Sequence, residues 1–374
     1  MPEFVLPAGW TSRTLAAVRR KLLAWFDAHR RDLPWRADRD PYRIWVSEVM
    51  LQQTTVAAVV PYFERFLASF PTVAALAAAD EQAVLRHWEG LGYYRRARHL
   101  HRAAKDLAAA HGDALPDDPA VWAELPGVGP YILGAVMSQA FDRKLPIVEA
   151  NSLRVLSRWF GYRGDPREGA GKKWVWKAAA AVLPTARVGD FNQALMELGA
   201  LVCSPTAPAC GTCPVAKWCE ANRLGLQAQI PPATKAKKTV EVREVAVVIR
   251  DGAKVLLCRR GPDASRWANM WEVPHGEAVA GETVEAAVRR VARELTRLDV
   301  TSGPELVTIR HGVTRFAITM TCLEAIRKAG TYHSDFYAEG RWVDPHDLKD
   351  YPVSSPQRRL ADELTRASRQ LRLI

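Results

Sequence analysis

The chain has 374 residues, 48% of them hydrophobic and 25% charged, which is sufficient for two or three domains with buried cores. The net charge of +11 and the pI near 9.5 favour a polyanionic partner. The sequence has no basic leader followed by an apolar run and no uncharged apolar stretch of about 18 residues, so it predicts neither a secretory signal nor a membrane span.

Residues 11–225 consist mainly of alanine-rich amphipathic segments separated by Pro, Gly or Asp breaks, a pattern that predicts an all-helical region. Asp40 followed by Pro41 marks one helix start, and Asp190 has capping-box spacing to Gln193 at another. The predicted helices span residues 11–29, 41–58, 60–69, 80–88, 94–111, 130–141, 151–159, 172–183 and 190–202.

A glycine-rich turn with the sequence Leu-Pro-Gly-Val-Gly-Pro-Tyr-Ile occupies residues 125–132. Gly127 and Gly129 can adopt positive φ or admit another backbone, and Pro130 suits the first turn of a helix. Such a turn points free N–H groups and the positive end of a helix dipole outward, which makes it a candidate anion site. An ordinary helix–helix connection is the alternative.

Four of the six cysteines form one cluster with the spacing Cys-x6-Cys-x2-Cys-x5-Cys: Cys203, Cys210, Cys213 and Cys219. In a chain without a leader, this spacing predicts a metal centre in a reducing compartment. Zinc and a [4Fe–4S] cluster both suit four thiolates. The centre is expected to be structural, because four cysteines leave no coordination position open for chemistry.

The pattern changes after residues 221–239, which are rich in Pro and Lys and are predicted to be an interdomain linker. The segments beyond it predict an α+β domain. Its expected elements are strands at 242–249 and 254–259 joined by a turn at Asp251 and Gly252, a helix at 282–298, an alternating segment at 306–322 and a helical tail from Ser354.

The glycine hairpin, the carboxylate at Glu149 and the cysteine spacing together resemble the helix-hairpin-helix DNA glycosylases that carry an iron–sulfur cluster. Within that superfamily the chain looks like the MutY adenine DNA glycosylases. The segments that carry this resemblance are Leu-Pro-Trp-Arg at 33–36, Trp-Val-Ser-Glu-Val-Met-Leu-Gln-Gln-Thr at 45–54, and residues 89–94, 191–200 and 270–274.

The resemblance implies a multidomain fold, in which an all-α helix-hairpin-helix glycosylase region at 1–225 precedes a linker at 226–239 and an α+β Nudix-like lesion-recognition domain at 240–374. The first region would contain a six-helix barrel at about 38–148 and a cluster domain built from the N-terminal helix and residues 149–225, with a [4Fe–4S] cluster on the four cysteines.

The implied activity is excision of adenine mispaired with 8-oxoguanine or guanine in double-stranded DNA, leaving an abasic site. We expect a monomer without membrane association, cytoplasmic and associated with the nucleoid, and not secreted. Two alternatives stay open: a mismatch glycosylase for another base, and a catalytically weak protein that binds DNA damage.

Four positions are expected to carry the chemistry: Glu48, Glu149, Tyr131 and Asn151. Glu48 lies in an apolar helical segment, where burial raises a carboxyl pKa, and the resemblance assigns it protonation of adenine at N7. Glu149 replaces the family's Asp, and we expect it to stabilise the cationic sugar, with helix capping as the alternative. Tyr131 stands where backbone-cutting relatives have lysine, which predicts a monofunctional enzyme. Asn151 matches the family, whereas Ala150 replaces its Gly.

The resemblance also assigns contacts with DNA or the flipped base. Leu51 and Gln53 would face the flipped adenine and the opened stack, and Tyr93 would enter beside the oxidised guanine. For Trp35 the alternative is core packing, and for Tyr93 a solvated helix start. The full set is Trp35, Arg36, Leu51, Gln53, Thr54, Tyr93, Gly127, Gly129, Gln193 and Thr314.

The Nudix signature is incomplete. Gly276, Glu282, Arg290 and Glu294 fit it, whereas Val291, Leu295 and Arg297 replace two acids and a glycine. Because carboxylates hold Mg²⁺ in such sites, pyrophosphate hydrolysis is not expected. The domain is instead expected to recognise 8-oxoguanine, with Thr314 between Val313 and Arg315 retaining a hydroxyl in the loop that reads the lesion in relatives. The alternative is a hairpin without a reading role.

Overall fold

The computed structural model describes residue 6 and residues 9–234 and 238–371, and the chain forms two compact units. The helical unit comprises Met1–Ala77 and Arg102–Lys235, and the sheet unit comprises Ala78–His101 and Ala236–Ile374. The predicted domain limits at residues 225 and 240 remain predictions. The remaining residues, 1–5, 7–8, 235–237 and 372–374, lie outside the described part and include a piece of the predicted linker.

The helices are α1 (Ser12–His29), α2 (Pro41–Leu51), α3 (Val56–Ser69), α4 (Val73–Ala78), α5 (Glu81–His87), α6 (Arg95–His111), α7 (Pro119–Ala123), α8 (Pro130–Phe141), α9 (Ala150–Trp159), α10 (Gly169–Val182), α11 (Val188–Leu201), α12 (Glu220–Leu224), α13 (Val284–Thr296) and α14 (Ser355–Leu371). None of the helices in the described ranges is long and apolar enough to cross a membrane.

The predicted start of α2 is confirmed, because the Asp40 carboxylate accepts hydrogen bonds from the backbone N–H groups of Tyr42 and Arg43 at 2.8 and 3.2 Å. The prediction of one helix over residues 41–58 is wrong. The chain leaves the helix after Leu51 and adopts a left-handed conformation at Gln53, with φ of 60°, before α3 begins. No Gly or Pro marks this break, so the helical pattern continues through it.

The predicted cap at Asp190 is also wrong. The residue before α11 is Arg187, in the left-handed conformation with φ of 57°, and Asp190 lies in the first turn of the helix. Its carboxylate instead accepts a hydrogen bond from Arg187 Nε at 2.8 Å. An acid in the first turn still complements the helix dipole, although Asp190 does not cap the helix.

Two groups of buried side chains organise the helical unit. Helices α1, α9, α10 and α11 share one core, which includes Leu22, Phe26, Leu156 and Phe191. Helix α2 packs against α8, and its Trp45 meets Trp122 of α7 edge-to-face with ring centroids 5.4 Å apart. Since α2 carries Glu48 and α8 begins at the glycine hairpin, this packing brings the two strongest sequence motifs together.

The sheet unit contains a seven-stranded mixed sheet with helices on both faces. Its strands are β1 (Val240–Asp251), β2 (Lys254–Arg260), β3 (Trp271–Glu272), β4 (His275–Glu277), β5 (Asp299–Val313), β6 (Phe316–Ala329) and β7 (Tyr337–Val343). The order is β3-β2-β1-β6-β5, β4 pairs with β1, and β7 pairs with β2. The β1–β6 pair is parallel, and the other pairs are antiparallel.

The predicted hairpin at Asp251 and Gly252 is confirmed, because Asp251 pairs with Lys254 and Gly252 has φ of 61°. The alternating segment at 306–322 lies in the β5–β6 hairpin, whose register reaches Val313 opposite Phe316. Apolar residues of α14 cover one face of the sheet and those of α13 cover the other, so each face has its own core.

A buried ionic group ties β1, β2, β3 and β4 together. Glu272 accepts a hydrogen bond from Arg260 Nε at 2.8 Å, and His275 Nδ1 lies 3.0 Å from Glu244 Oε2. Burial alone would lower the pKa of His275, but the charges of Glu272 and Glu244 outweigh it and raise that pKa to about 9. His275 is therefore a buried cation between two carboxylates at neutral pH.

We expect His275→Gln to lower the free energy of unfolding of the sheet unit by about 3 kcal/mol, because it leaves buried carboxylate charge uncompensated. The pKa of His275 is raised from 6.5, so its contribution is fully present below pH 6.5 and is lost as the pH rises through about 9. Urea unfolding, monitored by hydrogen exchange of the β1 and β4 amides, measures this free energy of unfolding and its pH dependence. The exposed His333→Gln is the matched control, and equal effects of the two variants would contradict the prediction.

Candidate active site

Glu48 is the centre of the candidate site. It lies on α2 with a 3% exposed side chain, among buried apolar neighbours such as Trp45 and Val49. Both carboxyl oxygens have partners: the Tyr131 hydroxyl donates to Oε2, and Gln139 Nε2 donates to Oε1 at 2.8 Å. Burial raises the pKa of Glu48, and the two hydrogen bonds oppose that effect without cancelling it. Such a carboxyl can hold a proton at higher pH than a solvated glutamate.

Glu149 occupies the N-cap position of α9. Its Oε1 accepts a hydrogen bond from the Ser152 N–H at 2.7 Å, and its Oε2 accepts one from the Asn151 N–H at 2.8 Å. The Ser152 hydroxyl accepts the Glu149 N–H at 2.9 Å, which completes a capping box. The structure thus shows the capping role that the sequence left as an alternative.

Asn151 links Glu149 to the rest of α9. Its Nδ2 donates to Glu149 Oε2 at 3.1 Å, and its Oδ1 accepts a hydrogen bond from Arg154 Nη2 at 2.8 Å. A Cβ atom at Gly199 of α11 would lie 2.5 Å from the Asn151 Cβ, so glycine there permits this close approach. Asn151 is thereby held in place by contacts on several sides.

Glu149 acts electrostatically on both Glu48 and Tyr131. The charge of Glu149 raises the pKa of Glu48 and of Tyr131, although burial is the larger cause for both groups. Burial also raises the pKa of Glu149 itself, against the capping hydrogen bonds. In an apolar setting, an acid whose ionisation a neighbouring carboxylate disfavours can stay protonated while the neighbour is ionised, as acid–base chemistry requires.

A cavity of about 940 Å³ opens beside Tyr131 and Glu149 within the helical unit, whereas Glu48 does not line it. Gly129, Tyr131 and Glu149 line it, together with cationic side chains from α9, α10 and the preceding loop. Those cations are Arg154, Arg158, Arg167 and Lys172. The cations suit the anionic parts of a ligand, and the carboxylate suits a reacting centre that is uncharged or cationic.

The glycine hairpin forms the entrance to α8. Gly127 has φ of 81°, which favours glycine, and Gly129 is the N-cap followed by Pro130 at the first helical position. A Cβ atom placed on Gly129 would meet nothing within 4 Å, so the space beside this helix N-terminus is open. These features fit the expected phosphate site, because the first N–H groups of a helix have no partners within the helix.

Trp35 and Arg36 lie in a short 3-10 segment before α2. Trp35 is buried and meets Phe63 edge-to-face at 5.4 Å, so packing accounts for its position. Arg36 Nη2 donates to Glu197 Oε2 at 3.1 Å, and Arg31 binds the same carboxylate. Burial would raise the pKa of Glu197, but these guanidinium groups lower it to about 2. Glu197 is therefore an ionised anchor for both arginines.

The other expected contact residues lie at three places. Leu51 and Thr54 are half-buried, and Gln53 is exposed in the break between α2 and α3, whereas Gln52 of that break lines the cavity. Gln193 is half-buried on α11. Tyr93 belongs to the sheet unit, where it is 51% exposed with φ of 49° and with the Arg96 guanidinium 5.6 Å from its ring centroid.

Thr314 forms the tip of the β5–β6 hairpin, with φ of 55°. It lines a cavity of about 720 Å³ together with His311 and Arg315. At the Nudix-like helix, Arg290 donates to Glu282 at 2.8 Å and to Glu294 at 3.1 Å. The retained acids are thus engaged by an arginine, and the absence of Mg²⁺-dependent hydrolysis stays a prediction.

The four cysteines lie in the loop after α11. In the described residues, no group of three or more His, Cys, Asp or Glu side chains is arranged to hold a metal ion. The thiols are nevertheless close enough for charge at Cys203 to raise the pKa of Cys210, Cys213 and Cys219, although burial is the larger cause. Backbone N–H groups also donate to Cys213 and Cys219. Four thiols with such donors fit a thiolate-bound cluster in their chemistry.

Arg158 connects this loop to the end of the helical unit. It is 2% exposed, and it donates to the Cys203 sulfur at 3.2 Å, to the Ser204 carbonyl at 2.7 Å and to the Ile230 carbonyl at 2.8 Å. Arg167 similarly binds the Pro232 carbonyl at 2.5 Å. The described N-terminal part of the predicted linker is therefore anchored to the helical unit.

Gln139 and Arg158 are the main residues of the site that the motifs did not mark. Both are polar residues on helices with extensive apolar burial, where an unpaired polar group is costly. A polar residue in such an apolar helix therefore indicates that a buried polar partner exists. The sequence cannot identify the partner, because Glu48 precedes Gln139 by 91 positions and Cys203 follows Arg158 by 45.

Comparison with known proteins supports this architecture. Residues 46–180 match the HhH-GPD superfamily base excision DNA repair protein model, and residues 244–363 match the NUDIX domain model. A solved structure of a thermostable thymine-DNA glycosylase is 29% identical with a TM-score of 0.51, covering 57% of this chain and 98% of that chain.

Curated proteins named adenine DNA glycosylase are also similar. The Rattus norvegicus protein is 43% identical over 218 residues, 56% of this chain and 42% of the relative, so the chain spans less than half the length of that protein. The protein of Buchnera aphidicola subsp. Schizaphis graminum (strain Sg) is 32% identical over 263 residues, 70% of this chain and 76% of the relative. The chain therefore belongs to the adenine DNA glycosylase family.

Proposed function

We propose that the protein is a monofunctional glycosylase of base-excision repair that removes adenine mispaired with 8-oxoguanine or guanine in double-stranded DNA. The observation that carries the proposal is the buried Glu48 carboxyl, held by Tyr131 and Gln139 and coupled in charge to Glu149. Paired carboxylates of unequal environment are what glycosidic bond cleavage needs.

In this proposal Glu48 begins the reaction protonated. Its proton passes to N7 of the flipped adenine, the bond between C1′ and the base breaks, and the bonding electron pair leaves with the base. Glu149 stabilises the cationic sugar, for which its place beside the cavity and its charge are suited. Water then adds at C1′ and returns a proton to the Glu48 carboxylate, which completes the balance.

The DNA contacts are proposals of the same kind. The open N-terminus of α8 would hold a phosphate, and the net charge of +11 favours duplex binding. Base extrusion would engage Leu51, Gln53 and Tyr93, and the Thr314 hairpin would read 8-oxoguanine. We further propose that one copy of the chain suffices and that it works with the nucleoid in the cytoplasm, where thiols remain reduced.

Single-turnover cleavage tests the proposal. Duplexes that carry A opposite 8-oxoguanine, A opposite G and T opposite G are incubated with the protein and then treated with alkali. We expect cleavage at A in the first two duplexes. Cutting only at T would support the alternative, a thymine mismatch glycosylase. Two observations motivate this alternative: Glu149 and Ala150 replace the family's Asp and Gly, and the chain is similar to a thymine-DNA glycosylase. Tight binding without cutting would support a damage-binding protein.

Borohydride trapping on abasic DNA tests the monofunctional assignment. We expect little trapped complex, because Tyr131 offers no amine for a Schiff base. Lys172 also lines the cavity and is the residue to examine if trapping is efficient. Efficient trapping would itself overturn the monofunctional assignment, and loss of trapping in Lys172→Gln would then assign the lyase amine to Lys172.

We also propose that Cys203, Cys210, Cys213 and Cys219 hold a [4Fe–4S] cluster, which would cross-link the loop after α11. Protein purified anaerobically should contain iron and acid-labile sulfide, and Cys210→Ser should lose both. The isolated Cys322→Ser, in the core of the sheet unit, is the matched control and should retain the iron. Zinc without iron would refute the cluster.

A further inference from the structure

Gln139 touches the proposed general acid from within the protein. The residue is 7% exposed and ends the stretch of α8 that is buried from Gly134 to Gln139. Its amide nitrogen donates to Glu48 Oε1 at 2.8 Å, while Tyr131 serves Oε2. A buried amide that pairs with one oxygen of a carboxyl restricts rotation of that carboxyl.

The reaction places a particular demand on this contact, because Glu48 must be protonated before base release and ionised after it. The Gln139 N–H can donate to Oε1 of the ionised carboxylate and, less strongly, to the same oxygen when the carboxyl is protonated on Oε2. A hydroxyl such as that of Tyr131 can also donate or accept.

We propose that Gln139 is a positioning residue that holds the Glu48 carboxyl in one orientation in both of its protonation states. This inference rests on the proposed function, since it requires Glu48 to give and regain a proton. Gln139 acts through Glu48 and does not need to touch the substrate.

The pH dependence distinguishes this role from packing. The titratable and charged groups that act on Glu48 are Tyr131 of α8, Glu149 at the start of α9 and Arg36 before α2. Burial raises the pKa of Glu48, and the Gln139 N–H lowers it. Removing that donor therefore raises the pKa. Since the protonated acid is active, the alkaline limb of the pH–rate profile should move to higher pH.

The test compares Gln139→Leu and Gln139→Glu with wild type in single-turnover excision of A opposite 8-oxoguanine between pH 5 and pH 10. We expect the low-pH plateau of Gln139→Leu to fall by about 10- to 100-fold. Both variants should shift the alkaline limb upward, and Gln139→Glu should shift it further, because a second carboxyl opposes ionisation of Glu48.

Ser138→Ala is the matched control, because Ser138 is the buried neighbour on α8 and its hydroxyl accepts a hydrogen bond from Asn192 at 3.0 Å, whereas Glu48 is bonded by Tyr131 and Gln139. It should keep the wild-type pH profile. A lower plateau with an unmoved alkaline limb in Gln139→Leu would overturn the inference in favour of packing, and so would wild-type behaviour. If wild type excises adenine from no duplex, the proposed function fails and the inference fails with it.

Discussion

Replacing Glu48 with glutamine should lower the single-turnover rate of adenine excision by about 10²- to 10⁴-fold while leaving duplex binding nearly unchanged. Glutamine keeps the size of the side chain and can still pair with Tyr131 and Gln139. It cannot release a proton to the leaving base. The loss should therefore appear in the chemical step and not in the dissociation constant.

Alkali cleavage under single-turnover conditions measures the rate, and fluorescence anisotropy with a labelled A:8-oxoguanine duplex measures binding. The matched control is Glu220→Gln, which removes the charge of an acid at the start of α12 that pairs with nearby Arg223. It should excise adenine at close to the wild-type rate. Substantial excision by Glu48→Gln would remove Glu48 from the proposed mechanism.

The sequence predicts elements whose signals are local. Asp40 before Pro41 marks the start of α2, and Asp251 with Gly252 marks the hairpin between β1 and β2. In both cases the residues that determine the conformation are neighbours in the chain. Glu48 is likewise placed correctly in a buried helix, because its apolar surroundings come from the same segment.

The features that the sequence does not predict depend on contacts between distant segments. The break at Gln53 lacks Gly or Pro, so only the fold reveals the left-handed residue. The pairing of Gln139 with Glu48 depends on how α8 packs against α2. Arg158 donates a hydrogen bond to the Ile230 carbonyl, so part of the predicted linker belongs to the helical unit. No pattern within one segment reports such partners.

Glu149 has a structural and a proposed catalytic role, because the same carboxylate caps α9 and borders the cavity. Glu149→Gln keeps the length and an acceptor oxygen for capping but removes the negative charge. If the charge stabilises the cationic sugar, this variant should lower the excision rate by about 10²- to 10³-fold. Its thermal stability should change little, because glutamine can still accept one of the two capping hydrogen bonds.

Ser152→Ala makes the opposite change. It removes the hydroxyl that accepts the Glu149 N–H but leaves the carboxylate and its bonds to the backbone of α9. It should cost about 1 kcal/mol of stability and reduce the rate far less than Glu149→Gln does. Calorimetry and single-turnover excision on both variants separate the two roles. If Ser152→Ala lost as much rate as Glu149→Gln, the contribution of Glu149 would be to the shape of α9, and the cationic sugar would need another stabilising group.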